Sequence, residues 1–503
     1  MNRRCAGRVL YIGVLLAAAG MAAAQSLQTV SQPDPIAHPL SSGIVELTAH
    51  RSSGVVSAWL ANGIRLHHLR MSGPLHSKDT GAEPRILILA SLAGGEIEET
   101  QATRGLTAAA AWTWAAEVRE GPEAASLRER RITPLAYSTE DAVLLRIESP
   151  ASELDAAVRL LGRMLADARV SQNTLDQWAR WYAQRARDDE GEPGWAVARA
   201  LSGAMHPPGE VRFRPIPASE ARSIRLEDVR AWLGRMLGAP EHGSRANPLE
   251  IAITGDVALA DALRAAERSL ATLPPRERIG PGTFADLRRR EPLPEGPLAV
   301  RSRLPVKGNR ACAGAGFRAL DDFNLRDHRL LRLAALALDE RMTTEVRERG
   351  WAGIDDVLTV AQPGGVIAGE AGLVITTVAV APERAEAAAD LAAAITEDLA
   401  ARGPTPDEFR RARDEMAADL RRRLSSPSYW AAQLSRMDYR GAYTPDDVAA
   451  GPQMIASFTR EDVAEALCRY ATPTRRVRLI VDPGPDLEAE TGEDAGAGQG
   501  GDR

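Results

Sequence analysis

Cysteine, lysine and aromatic residues are all scarce in this chain, and each scarcity removes a class of explanation. Three Cys in 503 residues cannot supply a disulfide framework or a Cys-rich zinc site. Lys occurs only at Lys78 and Lys307, so the basic charge is almost all Arg. A net charge of −6 and a pI of about 5.9 lack the basic footprint of a nucleic-acid-binding protein. No apolar run reaches the roughly 20 residues that cross a membrane. The eight His are His38, His50, His67, His68, His76, His206, His242 and His328, and no two stand at i,i+4. His67 and His68 are neighbours on a strand and point to opposite faces. A long-range pairing such as His67 with His206 is the metal arrangement that spacing leaves open. There is no G-x-S-x-G elbow and no G-x-x-x-x-G-K-[ST] loop.

What remains is ordinary globular composition, 44% hydrophobic and 26% charged, at a length that suggests two to four domains. Arg3 and Arg4, the apolar run Val9 to Ala19 and the small residues Ala22-Ala23-Ala24 have the order of a secretory signal peptide. Residues 1–24 are therefore expected to be removed, leaving an exported chain, periplasmic in a bacterium or else secreted. Residues 25–44 read as a flexible segment. Of the remaining cysteines, Cys312 and Cys468 are either paired or, as preferred here, two buried free thiols.

Two units follow. The first, residues 45–273, closes on the apolar strand Leu249 to Val257 and the helix Leu259 to Thr272. A Pro- and Gly-rich stretch, 274–297, reads as a linker. The second unit, 298–483, opens with the strand Arg310 to Phe317 and continues with a long helix from Asp327 to Arg349. Gly314-Ala315-Gly316 fits a strand pressed against its neighbour. The strand Gly372 to Val380, helices Glu383 to Arg402 and from Thr405, and the strand Arg476 to Val481 complete it. Residues 484–503 are acidic and Gly-rich, as a disordered tail would be. The two units share a plan of strands, helix, strand, helices and closing strand, so the fold class is α+β with two related halves.

Several short motifs recur in a telling order. Trp59-Leu60-Ala61-Asn62-Gly63-Ile64-Arg65 is followed by the strand Arg85 to Leu92, a Gly94-Gly95 turn, and Gly105-Leu106 opening an Ala-rich helix. Ser428-Tyr429-Trp430 and Thr459-Arg460-Glu461-Asp462-Val463 come late in the chain. This order resembles the insulinase/pitrilysin-type metallopeptidase family, in particular the silent half of its long bacterial members. In that family "G-L-A-H-x-x-E-H" opens the helix. Its two His lie on one helical face and ligate zinc, and its Glu is the general base. Here those three positions are Ala108, Ala111 and Trp112, and the third ligand falls on Trp181 or Tyr182.

The resemblance implies two α+β halves facing each other, no zinc, no catalytic residue and no cofactor. It implies a non-catalytic protein, either the partner subunit of an active peptidase chain or a peptide-binding relative that holds peptide or unfolded protein by strand addition. Trp112, Trp114 and Arg347 are the candidate peptide or partner contacts. Arg347 keeps the Arg of a family "R-E-x-x-G-x-x-Y" element whose Tyr is missing, so a helix-end charge is the alternative. For Trp112 and Trp181 the alternative is packing inside the former metal cavity. Two other functions stay open: an active zinc endopeptidase with a non-standard site, and a structural scaffold of the cell envelope.

Overall fold

The computed structural model describes residues 42–72, 83–205, 210, 212, 216–239, 245–288, 295–320, 323–362 and 372–484. The expected signal peptide, most of the segment after it and nearly all of the acidic tail lie outside the described residues. So do His38, His76, His206 and His242.

Seven strands form the first sheet. They are β1 (Ile44–Ala49), β2 (Val56–Leu60), β3 (Arg65–Arg70), β4 (Arg85–Ala93), β5 (Thr133–Ser138), β6 (Ala142–Pro150) and β7 (Leu249–Gly255). Their order across the sheet is β1-β2-β3-β7-β4-β6-β5. Only β3 and β7 pair in parallel; the other neighbours are antiparallel. Among the described residues the α-helices of this half are α1 (Leu106–Glu120), α2 (Ala124–Glu129), α3 (Leu154–Ala166), α4 (Gln172–Asp189), α5 (Pro193–Met205), α6 (Ala218–Ser223), α7 (Leu226–Leu237) and α8 (Leu259–Ser269).

The second sheet has five strands: β8 (Leu298–Leu304), β9 (Ala311–Arg318), β10 (Val357–Gln362), β11 (Leu373–Val380) and β12 (Arg476–Pro483), in the order β10-β11-β9-β12-β8. Its helices are α9 (Leu325–Glu348), α10 (Ala385–Arg402), α11 (Pro406–Leu424), α12 (Pro427–Leu434), α13 (Met437–Arg440), α14 (Pro445–Ala449), α15 (Gly451–Ser457) and α16 (Arg460–Tyr470). A Cβ on Gly314 or Gly316 would stand 2.1 and 2.0 Å from carbonyl oxygens of β11, so bare backbone is needed where β9 meets β11.

The apolar runs in the strands are continuous because both faces of each sheet are covered. In β4, Ile86 and Ile88 face the core shared with α1, α3 and α7, while Leu87 and Leu89 face the other way. That second face is covered from the other half of the chain, by Trp430, Ala431 and Leu434 of α12 and Met437 of α13. The reverse also holds. Cys312, Ile375 and Leu479 of the second sheet pack against Ala196, Val197 and Leu201 of α5. Each half thus lends a helix to the other.

The stretch 274–297 is no free tether over its described part. Arg276, Ile279 and Arg288 are buried, and Arg276 donates to the Asn247 carbonyl at 2.6 Å. Cys312 and Cys468 are free thiols; Cys312 is buried, but Cys468 is exposed, which corrects the expectation of two buried thiols.

Candidate functional site

Helix α1 begins where the sequence motif places it. Gly105 adopts φ +80°, and a Cβ there would lie 2.5 Å from Ile216 Cδ1. The Glu99 carboxylate accepts the Gly105 and Thr107 amides, both at 2.8 Å, and so satisfies donors that the helix cannot. Burial pushes the Glu99 carboxyl up, and these two amides offset that only in part. The Ala108–Ala111 run then extends the helix at no propensity cost. Helix α4 opens on a Ser171–Thr174 capping box and packs against α1.

The positions that the motif order singles out do come together. Trp112 stacks on Trp181 with ring centroids 6.1 Å apart and planes 24° from parallel. Ala108 lies one turn before Trp112, and both are half-buried, whereas Ala111 is buried. The Arg119 guanidinium sits 6.0 Å from the Trp112 ring centroid and donates to the Pro134 carbonyl of β5 at 3.3 Å. Tyr182 packs on Trp178 at 5.4 Å, and its hydroxyl donates to the Ile216 carbonyl at 3.0 Å.

This donor set does not fit zinc. It consists of methyl groups, indoles and a phenol already used as a hydrogen-bond donor, where a catalytic zinc takes three His, carboxylate or thiolate ligands. The indoles do not fill a sealed cavity either. Trp181 is 49% exposed, whereas Trp112 is half-buried and packs against the first core. Trp114 and Trp178, each 1% exposed, are the core tryptophans of the cluster. Trp114 therefore offers no face to a partner. Arg347 is exposed in the last turn of α9, in the other half of the chain.

The structure adds a polar cluster that sequence reasoning missed, on the opposite face of the first sheet. His50 Nε2 lies 3.0 Å from Ser57 Oγ. Ser57 Oγ is 2.8 Å from His67 Nδ1, and His67 Nε2 is 2.8 Å from Glu250 Oε1. Glu250 also accepts the backbone amides of Asp438 and Tyr439, at 2.7 and 3.1 Å. Asp438 is ion-paired with Arg65. Ser57, His67 and Glu250 are buried.

Burial holds His67 neutral, down at about 3, with the Arg65 charge acting the same way. Burial raises Glu250 to about 7, opposed by the α13 amides and Arg65. The order Ser–His–acid is that of a hydrolase, but no substrate reaches a sealed serine. Among the described residues, His67, Glu250 and Asp438 also bring ligand-type atoms within 4.8 Å of one another. Each of those atoms already has a partner, and a guanidinium is one of them. A signal was present in the sequence: Glu250 is the lone charge inside the apolar strand Leu249–Gly255, and such a charge needs partners.

Residues 244–416 match the family model described as the peptidase M16 inactive domain. No curated protein matches the chain by sequence. Several solved structures share the fold. One is the peptidase M16 inactive domain from Pseudomonas fluorescens, 15% identical, with a TM-score of 0.67 over 88% of this chain and 98% of that one. A second is the periplasmic protease PqqL from Escherichia coli, 16% identical, TM-score 0.65, covering 93% of this chain and 49% of that one. A third is a chain of complex III2 from Candida albicans, 13% identical, TM-score 0.62, covering 84% and 95%.

Proposed function

We propose that this chain, an M16-fold protein whose residues 244–416 carry that family's inactive domain, is a non-catalytic binding subunit. It would hold peptide, or an active peptidase chain of the same fold, through the surface that replaces the metal site. The observation that carries this reading is the Trp112–Trp181 stack, at positions that the resemblance assigns to metal ligands. Stacked indoles left open to solvent are characteristic of contact surfaces. Complex III2 supplies a precedent for this fold inside a multi-subunit assembly.

The neighbouring sheet edge suits such a role. β5 ends the first sheet beside α1, and extended peptides add to free edges through backbone groups. By strand alternation, the side of Pro134 that faces Arg119 is also the side on which Ala136 and Ser138 present their amides and carbonyls. Pro134 has no amide, and its carbonyl is occupied by Arg119. Ala136 is buried, which leaves the half-buried Ser138 as the point of attachment. Leu135, 40% exposed, supplies an apolar contact.

We place the protein outside the cytoplasm, in the periplasm of a bacterium. This rests on the leader-like N-terminus and on PqqL, a periplasmic protein of the same fold. No described helix is long and apolar enough to cross a membrane.

The test pairs an elemental assay with a binding assay on the mature chain. No stoichiometric zinc and no cleavage of unstructured peptides are expected. Binding of a β-casein peptide digest should weaken about tenfold or more in a Trp112→Ala/Trp181→Ala double variant, in line with hot-spot losses. About one zinc per chain, with chelator-sensitive cleavage, would overturn the non-catalytic reading. Unchanged binding by the double variant would overturn the assignment of the surface.

A further inference from the structure

The cluster on the other face of the first sheet joins the two halves of the chain. Glu250 belongs to the middle of the first sheet, and the two amides it accepts belong to α13 of the second half. Asp446 of α14 makes a parallel tie, accepting the Ser52 and Ser53 amides of the β1–β2 turn at 3.1 and 2.9 Å. His50 sits in the same turn and is half-buried, where the other three members are sealed. The network therefore runs from near the surface to a buried carboxyl at the seam.

The donors can be assigned from the acid end. An ionised carboxylate only accepts, so His67 Nε2 donates to Glu250. A neutral His67 then accepts at Nδ1 from the Ser57 hydroxyl, whose oxygen accepts from His50 Nε2. The same four groups are equally well satisfied with every bond reversed. A solvent proton added at His50 Nδ1 lets His50 Nε2 pass its proton to Ser57 Oγ. Ser57 passes its own to His67 Nδ1, and His67 Nε2 passes its proton to Glu250. One proton enters, one carboxylate becomes a carboxylic acid, and both imidazoles end neutral in the opposite tautomer.

From this geometry we infer that His50, Ser57, His67 and Glu250 form a proton relay that makes the docking of α13 on the first sheet pH-dependent. The groups facing Glu250 set the sign. Arg65 and His67 of β3 and Asp438 of α13 carry the titratable and charged atoms there; Ser91 of β4, opposite Glu250 in register, carries none. With Glu250 ionised, the buried Arg65 guanidinium is shared between Glu250 and the partly exposed Asp438, which leaves one negative charge in excess. Protonation removes it. Asp446 and Arg65 act on His50 with opposite signs. Burial raises Glu250 in the docked state, so docking is strongest below the ordinary carboxylate range and weakens as pH rises through about 7.

Hydrogen exchange of the Asp438 and Tyr439 amides in the full chain tests this. After correction for intrinsic rates, protection should fall about tenfold from pH 6 to pH 8, as expected when a pKa of about 7 lies between them. In Glu250→Gln the change should vanish. Equal protection at both pH values in the parent chain, or a pH response kept by Glu250→Gln, would overturn the relay. If that variant does not fold, imidazole nitrogen NMR on the unaltered chain decides. His67 should move from Nε2–H at pH 8 to Nδ1–H at pH 6 while staying neutral. A fixed tautomer, or an imidazolium, would refute it.

Discussion

Trp112 of α1 and Trp181 of α4 face each other at 6.1 Å, nearly parallel. One of the pair is half exposed and the other half-buried. This sets their energetics apart from those of Trp114, two residues away and sealed in the core.

Truncating the three tryptophans should therefore rank them. Trp114→Ala deletes a fully buried ring and should cost about 3–5 kcal/mol. Trp112→Ala should cost only about 1–2 kcal/mol, since part of its surface stays in water and the stacking itself contributes about 0.5–1.5 kcal/mol. Urea unfolding of the two variants checks the order. A double-mutant cycle of Trp112 with Trp181 reads the stacking directly.

Rebuilding the helix motif should not restore a metal centre. With His, Glu and His placed by Ala108→His, Ala111→Glu and Trp112→His, only two ligands converge, and tight zinc binding needs a third. Tyr182→Glu or Trp181→Glu should be required in addition. Calorimetric zinc titration distinguishes the two constructions. Nanomolar affinity without the added carboxylate would show that α4 is not the source of the third ligand.

Acid should unfasten α9 from α11. Glu408 receives two bonds from Arg341, at 2.7 and 2.8 Å, and caps α11 by accepting the Thr405 amide at 2.7 Å. The Arg341 hydrogen bonds lead in drawing its carboxyl down to about 2. A depressed carboxyl stabilises the fold above its unfolded pKa and loses that contribution as pH falls towards the folded value. Glu408→Gln keeps the capping box but removes the charge that Arg341 faces, so it should lower stability at pH 7 by about 1.5–3 kcal/mol, the range for hydrogen bonds to charged groups. The gap to the parent should close between about pH 4.5 and 2. Thermal melts at pH 7 and pH 3 give the comparison.

The two thiols should differ in reactivity. Burial pushes Cys312 up to about 12, and the side chain lies against α5. Cys468 is exposed. A thiol reagent followed by peptide mass mapping should label Cys468 in the folded chain and Cys312 only after denaturation.

Much of this was legible in the sequence. The continuous apolar strand runs, the Ala-rich helix after Gly105 and the Thr405–Glu408 start signal each carry their own local physics. The meeting of α1 and α4 at Trp112 and Trp181 could be anticipated because the motif has fixed helical spacing. The lending of helices was not. α5 and α12 are apolar segments whose partners lie in the other half, and periodicity says which face is buried, not what buries it. The relay was hidden for the same reason. His67 and Glu250 meet only because β3 and β7 pair in parallel, across 183 residues of sequence.

The exchange of α5 and α12 also governs the order in which the molecule can be finished. The first sheet is complete in sequence at Gly255, yet Leu87, Leu89 and Leu144 stay uncovered until Trp430, Leu434 and Met437 arrive. During synthesis, this leaves an apolar sheet face bare for some 170 residues, a state prone to aggregation. A fragment ending near residue 297 would keep that face exposed permanently. The packing of the chain's first half is therefore completed only when its late helices emerge.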